Sequence, residues 1–67
     1  MTKQERYARF EKDMAHIGRT VETYKGRFFY DGPAVRIEKD ELQDVIRETT
    51  VELQWDELGL GLIVYPC

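Results

Sequence analysis

The chain is 67 residues long, 42% apolar and 34% charged, with a net charge of −3 at pH 7. A chain of this length forms one small domain that buries only about 60% of its unfolded surface, which excludes a large catalytic cleft, and its apolar share is too high for a disordered tail. No apolar run approaches the roughly 18 residues of a membrane span, and the charged opening MTKQERYARFEKD lacks the apolar core of an export signal, so a cytoplasmic protein is expected.

Thr2-Lys3-Gln4-Glu5 has the form of a capping box, and Tyr7, Phe10, Met14 and Ile17 follow it at helical spacing. This spacing predicts an amphipathic helix over 1–17. Glu5 with Arg9 and Arg9 with Asp13 stand four apart on its polar side, and Gly18 is placed to end it. From Arg19 onward β-branched and aromatic residues take over, so 19–67 reads as the sheet-forming body of a single domain. Its first strands are predicted at 19–24 and 27–31 around a Lys25-Gly26 turn. In that register Thr23 pairs with Phe28 and Val21 with Tyr30 on the core side, while Tyr24, Arg27, Glu22 and Phe29 occupy the other face.

Asp31-Gly32-Pro33 predicts a turn and Ala34 to Ile37 a short third strand with Val35 and Ile37 inward. In KDELQDVIRETT, Leu42, Val45 and Ile46 recur at i, i+3, i+4 behind Asp40, which predicts a short second helix whose N-terminus suits Asp40 and Glu41. In VELQWDELGLGLIVY, Val51, Leu53 and Trp55 alternate with Glu52, Gln54 and Asp56, as in a strand with one wet face. With Asp56 to Gly59 as a four-residue loop, Trp55 faces Leu60, Leu53 faces Leu62 and Val51 faces Val64, and a one-residue slip would destroy that agreement.

The expected architecture is an α+β domain of order α-β-β-β-α-β-β, an antiparallel sheet of about five strands packed by the N-terminal helix and a short middle helix. Its predicted core comprises Phe10, Met14, Val21, Phe28, Tyr30, Val35, Ile37, Leu42, Ile46, Val51, Leu53, Trp55, Leu62 and Val64. An SH3-like small β-barrel, with 39–49 as a turn between strands, is the alternative.

Elimination narrows the chemistry. The chain has no Ser and no Asn, one His and one Cys, which removes a Ser-His-Asp triad and, within one copy, any Cys₄ or Cys₂His₂ zinc site. Cys67 permits no internal disulfide, fits a reducing compartment and is not placed as a C-a-a-X box requires. His16 suits the carbonyl end of the first helix. Asp40, Asp44 and Glu48 recur every four residues, but one helix face offers too few oxygens to enclose Ca²⁺. No Gly-rich phosphate loop occurs. The expectation is a non-enzyme with no cofactor and no metal.

The segments YKGRFFYDGPAV and QWDELGLGLIVYP resemble signature segments of a group of short uncharacterised cyanobacterial proteins, over about 25 of the 67 residues. That resemblance implies a stand-alone cytoplasmic protein, implies no activity and carries over no site residue.

Recognition remains. Tyr24, Arg27 and Phe29 share a face that continues through Ile63 and Tyr65 if the terminal hairpin joins the same sheet, giving apolar rings beside one cation, as at interface hot spots. The stripe of the first helix is the competing occupant of that face. The expected function is that of a small protein-interaction or adaptor module, with another protein or a second copy of the chain as partner and no membrane. Charge asymmetry can steer such encounters: residues 1–30 carry seven Lys/Arg against four Asp/Glu, residues 31–67 three against nine. A single-stranded nucleic-acid binder, stacking bases on the aromatics beside Lys25 and Arg27, is the alternative, and the net negative charge opposes it.

Overall fold

Thr2 caps the first helix as its sequence predicts. Its hydroxyl accepts the Glu5 backbone N–H and the Glu5 carboxylate accepts the Thr2 N–H, both at 3.2 Å. Helix α1 therefore spans Lys3–His16. Its far end closes with two staggered bonds, Arg19 N–H to the Met14 carbonyl at 2.8 Å and Gly18 N–H to the Ala15 carbonyl at 3.1 Å, the pattern of a Schellman motif.

The structure is a computed structural model that describes residues 1–27 and 30–67. After α1 come β1 (Glu22–Arg27), β2 (Tyr30–Glu38), a 3₁₀ turn (Lys39–Glu41), α2 (Leu42–Glu48), β3 (Leu53–Leu58) and β4 (Gly61–Pro66). The strands form one antiparallel sheet in the order β1-β2-β4-β3, so β1 and β3 are its edges. The α+β class and the antiparallel sheet are as expected. Residues 39–48 are helical and not the turn of the SH3-like alternative. No described helix is long and apolar enough to cross a membrane.

The sheet has four strands instead of about five because Asp31-Gly32-Pro33 bends the chain without turning it. Gly32, at φ +136°, lies inside the continuous β2. Pro33, Ala34 and Val35 are buried in succession, so the strand is covered on both faces at the bend. The first hairpin is also displaced. Lys25 and Gly26 lie within β1, where the register shifts between Lys25 and Arg27, so Thr23 faces Pro33, Tyr24 faces Gly32 and Arg27 faces Tyr30. A bulge absorbs the residue that a turn would have used, and the Gly26 N–H donates to the Asp31 carboxylate. The expected pairing of Val21 with Tyr30 is lost. Phe28 and Phe29, assigned to opposite faces from sequence, lie outside the described residues.

In the terminal hairpin the loop is Gly59-Leu60, with Gly59 at φ +62° in the position where a two-residue hairpin turn favours a positive φ. Trp55 consequently faces Val64 and Leu53 faces Pro66, four positions beyond the expected partners. An even displacement preserves the pleat, so Leu53, Trp55, Leu62 and Val64 still share a face. Leu60 leaves it and is 92% exposed.

On that face Phe10 and Met14 of α1 pack with Val35, Ile37, Val45, Leu62 and Val64, and Ile17, Val21, Leu42, Val51 and Leu53 border them. Two residues expected in the core stand at its rim: Ile46 is 38% and Trp55 43% exposed. Helix α2 has only seven residues and directs Val45 inward, which leaves Ile46 at the side. Trp55 sits on an edge strand.

Candidate interaction surfaces

Among the described residues no helix packs on the sheet's second face, yet it is not bare. Tyr24, Ala34 and Ile63 are buried there, with Tyr30 and Tyr65 packed against them. The register explains the grouping: Tyr24 and Gly32 are cross-strand partners, as are Arg36 and Ile63, and Gln54 and Tyr65. The rings of Tyr30 and Tyr65 lie 4.3 Å apart between centroids. The Tyr30 hydroxyl donates to the Pro33 carbonyl at 2.9 Å and the Tyr65 hydroxyl to the Asp56 carboxylate at 2.9 Å. Tyrosine suits this task, because its ring covers apolar surface while its hydroxyl reaches an acceptor at the rim.

Both phenols are held neutral. Burial, and then the neighbouring Tyr7, pushes Tyr30 well above the ordinary tyrosine value. Burial, and then the hydrogen bond to the Asp56 carboxylate, raises Tyr65. Tyr7 reaches this region from the start of α1, and its hydroxyl donates to the Asp31 carbonyl at 3.0 Å.

Of the face predicted from sequence, the structure brings Tyr24, Ile63 and Tyr65 together and leaves Phe29 outside the described residues. Tyr24 and Ile63 are only 2% and 1% exposed, Tyr65 is half-buried, and Arg27 is exposed with its guanidinium 5.3 Å from the Tyr24 ring centroid. Helix α1 is not the lid over these residues: Phe10 and Met14 pack on the opposite side.

A second surface lies between α2 and edge strand β3. Ile46, Thr49, Thr50, Val51, Glu52, Leu53 and Trp55 line a shallow groove there. Its floor joins two of the most exposed large apolar residues, Ile46 and Trp55, to half-buried Val51 and Leu53. One end is anchored by Thr50, whose N–H and hydroxyl donate to the Asp13 carboxylate at 2.9 and 2.8 Å. A second depression runs along the same edge, lined by Leu53, Gln54, Trp55, Asp56 and Tyr65. Strand alternation assigned Trp55 to the core, and helical spacing assigned Ile46. The available signal was Gly59, whose positive φ fixes a two-residue loop and places Trp55 far from the hairpin tip.

The other chemical candidates are dispersed. His16 and Cys67 are both exposed. Asp40 falls in the 3₁₀ turn, and Asp44 pairs with Arg47 at 3.7 Å. Among the described residues no group of His, Cys, Asp and Glu could hold a metal ion. The Glu41 carboxyl is held below its ordinary value by the Arg19 guanidinium and then by the Glu38 backbone N–H, a cap on the 3₁₀ turn. Comparison with protein-family models, with curated proteins and with solved structures finds no match to this chain.

Proposed function

We propose that this protein is a non-catalytic interaction module that docks a protein partner on the surface between α2 and β3. The observation that carries this reading is Trp55: the one tryptophan of the chain is 43% exposed on an open edge strand, beside Ile46 at 38%. Tryptophan is enriched among residues that dominate binding energy, and its ring loses little conformational entropy when it is covered. The tyrosine side is less suited to docking, because the two phenols named above already cover its buried centre and donate within the chain. Tyr30, one of the rings on which the nucleic-acid alternative would stack bases, is already packed against Tyr24, Ala34 and Ile63 and lies 4.3 Å from the Tyr65 ring, which disfavours that alternative.

The test is affinity capture from the native host with mass spectrometry, using wild type, Ile46→Lys and Trp55→Ala. A partner held by wild type and lost by both variants, with thermal unfolding showing both variants folded, supports the reading. Recovery of the same proteins by all three chains, or enrichment of nucleic acid alone, overturns it.

A further inference from the structure

The open edge of β3 has a pattern specific enough to name what it takes. The Cys67 N–H donates to the Glu52 carbonyl at 2.9 Å, which makes 52 and 67 a hydrogen-bonded pair continuing the ladder in which Leu53 faces Pro66. Hydrogen-bonded and non-hydrogen-bonded pairs alternate in an antiparallel ladder. Residues 54, 56 and 58 therefore bond inward to β4, and the N–H and C=O groups of Leu53, Trp55 and Glu57 point outward. Pro66, which has no N–H, fits opposite Leu53 for the same reason. Among the described residues no strand pairs with β3 on that side. The opposite edge is different: β1 is interrupted by its register shift at Gly26, a device that discourages further pairing.

The side chains flanking this edge are sorted by face. On the α2 side Leu53 and Trp55 border the groove that ends at Ile46. On the tyrosine side stand Gln54 and Asp56, with the Tyr65 hydroxyl holding the Asp56 carboxylate in place at 2.9 Å, and Glu52, one residue before the strand, shares their parity while also bordering the groove. Arg36 shares a row with Ile63 and Asp56 but lies two strands from the edge strand, roughly 10 Å away. Glu57 is already paired with Lys39 at 3.4 Å.

Resting on the interaction-module reading, we propose that β3 accepts an extended partner segment as a fifth strand, one in which apolar and basic residues alternate. Main-chain bonds to Leu53, Trp55 and Glu57 hold such a strand. Its apolar side chains enter the groove beside Trp55 and Ile46, and its Lys or Arg side chains meet Glu52 and Asp56. Charge separates this occupant from a second copy of the chain. Antiparallel pairing of β3 with itself, centred on Trp55, would set Asp56 of each chain opposite Gln54 and diagonal to Glu52 and Asp56 of the other, which gathers four carboxylates on one face with no cation among them, and like-charge juxtaposition opposes pairing.

The probes are three blocked heptapeptides: alternating Lys-Val, alternating Glu-Val, and a Lys/Val peptide of the first composition with its residues in two blocks. Amide chemical shifts, hydrogen exchange and Trp55 emission report binding. The alternating Lys-Val peptide is expected to bind about tenfold or more tightly than either control, as steering and pairing by two carboxylates would give. It should slow exchange at Leu53, Trp55 and Glu57, shift Trp55 emission to the blue and weaken as salt rises. Glu52→Gln with Asp56→Asn should reduce its affinity about tenfold; Glu52→Gln alone keeps the Tyr65–Asp56 bond and guards against a misfolded double variant. Equal binding of the three peptides, unchanged exchange at those amides under saturating peptide, or a peptide-free dimer protected at β3 overturns the proposal. If the peptides fail while capture remains sensitive to Ile46→Lys and Trp55→Ala, strand addition is wrong and the interaction module stands. If both fail, the module reading falls with it.

Discussion

An alanine at position 32 would test the bend in β2 and the role of Tyr7 together. Gly32 has φ +136°, which L side chains rarely adopt, and a Cβ there would stand 2.8 Å from the Tyr7 ring and 2.9 Å from the Tyr30 hydroxyl oxygen. The backbone strain is of order 1–3 kcal/mol. Forcing a methyl group against the ring adds about 1–3 kcal/mol. Gly32→Ala should therefore destabilise by about 2–6 kcal/mol, against a total of about 3–10 kcal/mol for a domain of this length at typical stability per residue. The share due to Tyr7 separates in a double-mutant cycle with Tyr7→Ala, because removing that ring relieves its contact while leaving the backbone strain and the Tyr30 hydroxyl contact in place. Urea unfolding followed by far-ultraviolet circular dichroism should show Gly32→Ala costing about 1–3 kcal/mol less in the Tyr7→Ala background. Additivity within about 0.5 kcal/mol would show that the ring does not pack on Gly32 and refute the argument.

Phe10→Ala should cost about 3–5 kcal/mol, since the ring is fully buried between α1 and the sheet; a loss under about 1 kcal/mol in urea unfolding would mean that α1 does not dock there. Trp55 should emit between the buried and water-like limits and be readily quenched by acrylamide, and Trp55→Ala should cost at most about 3 kcal/mol, from burying a little over half of roughly 200 Å² at about 25 cal/mol/Å². A fully blue-shifted, unquenched emission in the free protein would contradict the observed register. Absorbance at 295 nm during alkaline titration should show Tyr30 and Tyr65 ionising above the ordinary value of 10.0. Because the fold raises both, their contribution is complete below pH 10 and is lost as pH rises through their folded values, so stability should fall on the alkaline side. Ionisation of Tyr30 and Tyr65 near pH 10 with no loss of structure would count against the buried cluster.

Local chemistry made α1 legible, because its cap, stripe and stop all lie within neighbouring turns and agree with one another. The inward face of the terminal hairpin was legible for a related reason: alternation determines which residues share a face whatever the loop length, so an even error in register left Leu53, Trp55, Leu62 and Val64 together. What alternation does not encode is depth. Trp55 has the right parity for the core, but strand order, set by long-range pairing, places β3 at an edge. The central region failed differently. Asp31-Gly32-Pro33 has the composition of a turn, and in β2 the same residues bend a strand whose hydrogen bonds continue on both sides. The candidate face was legible as a grouping of Tyr24, Ile63 and Tyr65, and its burial was not, because that follows from Tyr30 joining them after the first hairpin shifted.

The exposed groove and the tyrosine cluster follow from one shortage. A four-stranded sheet has two faces, and among the described residues two α-helices are available to cover them, of which α2 is only about 10 Å long at 1.5 Å per residue. Helix α1 lies against β2 and β4, the central strands, and α2 contributes Val45 to the same side. One face is covered there, but the helices do not extend over the outer part of β3, where Trp55 and Ile46 stay in contact with water. Among the described residues no helix packs on the opposite face, which is closed by tyrosines, side chains that can cover apolar surface and still satisfy their hydroxyls at the rim. Three of the four tyrosines, Tyr24, Tyr30 and Tyr65, are used on that face. A partner supplying one further strand at β3 would extend the sheet, cover Trp55 and complete the layer that the two helices leave unfinished.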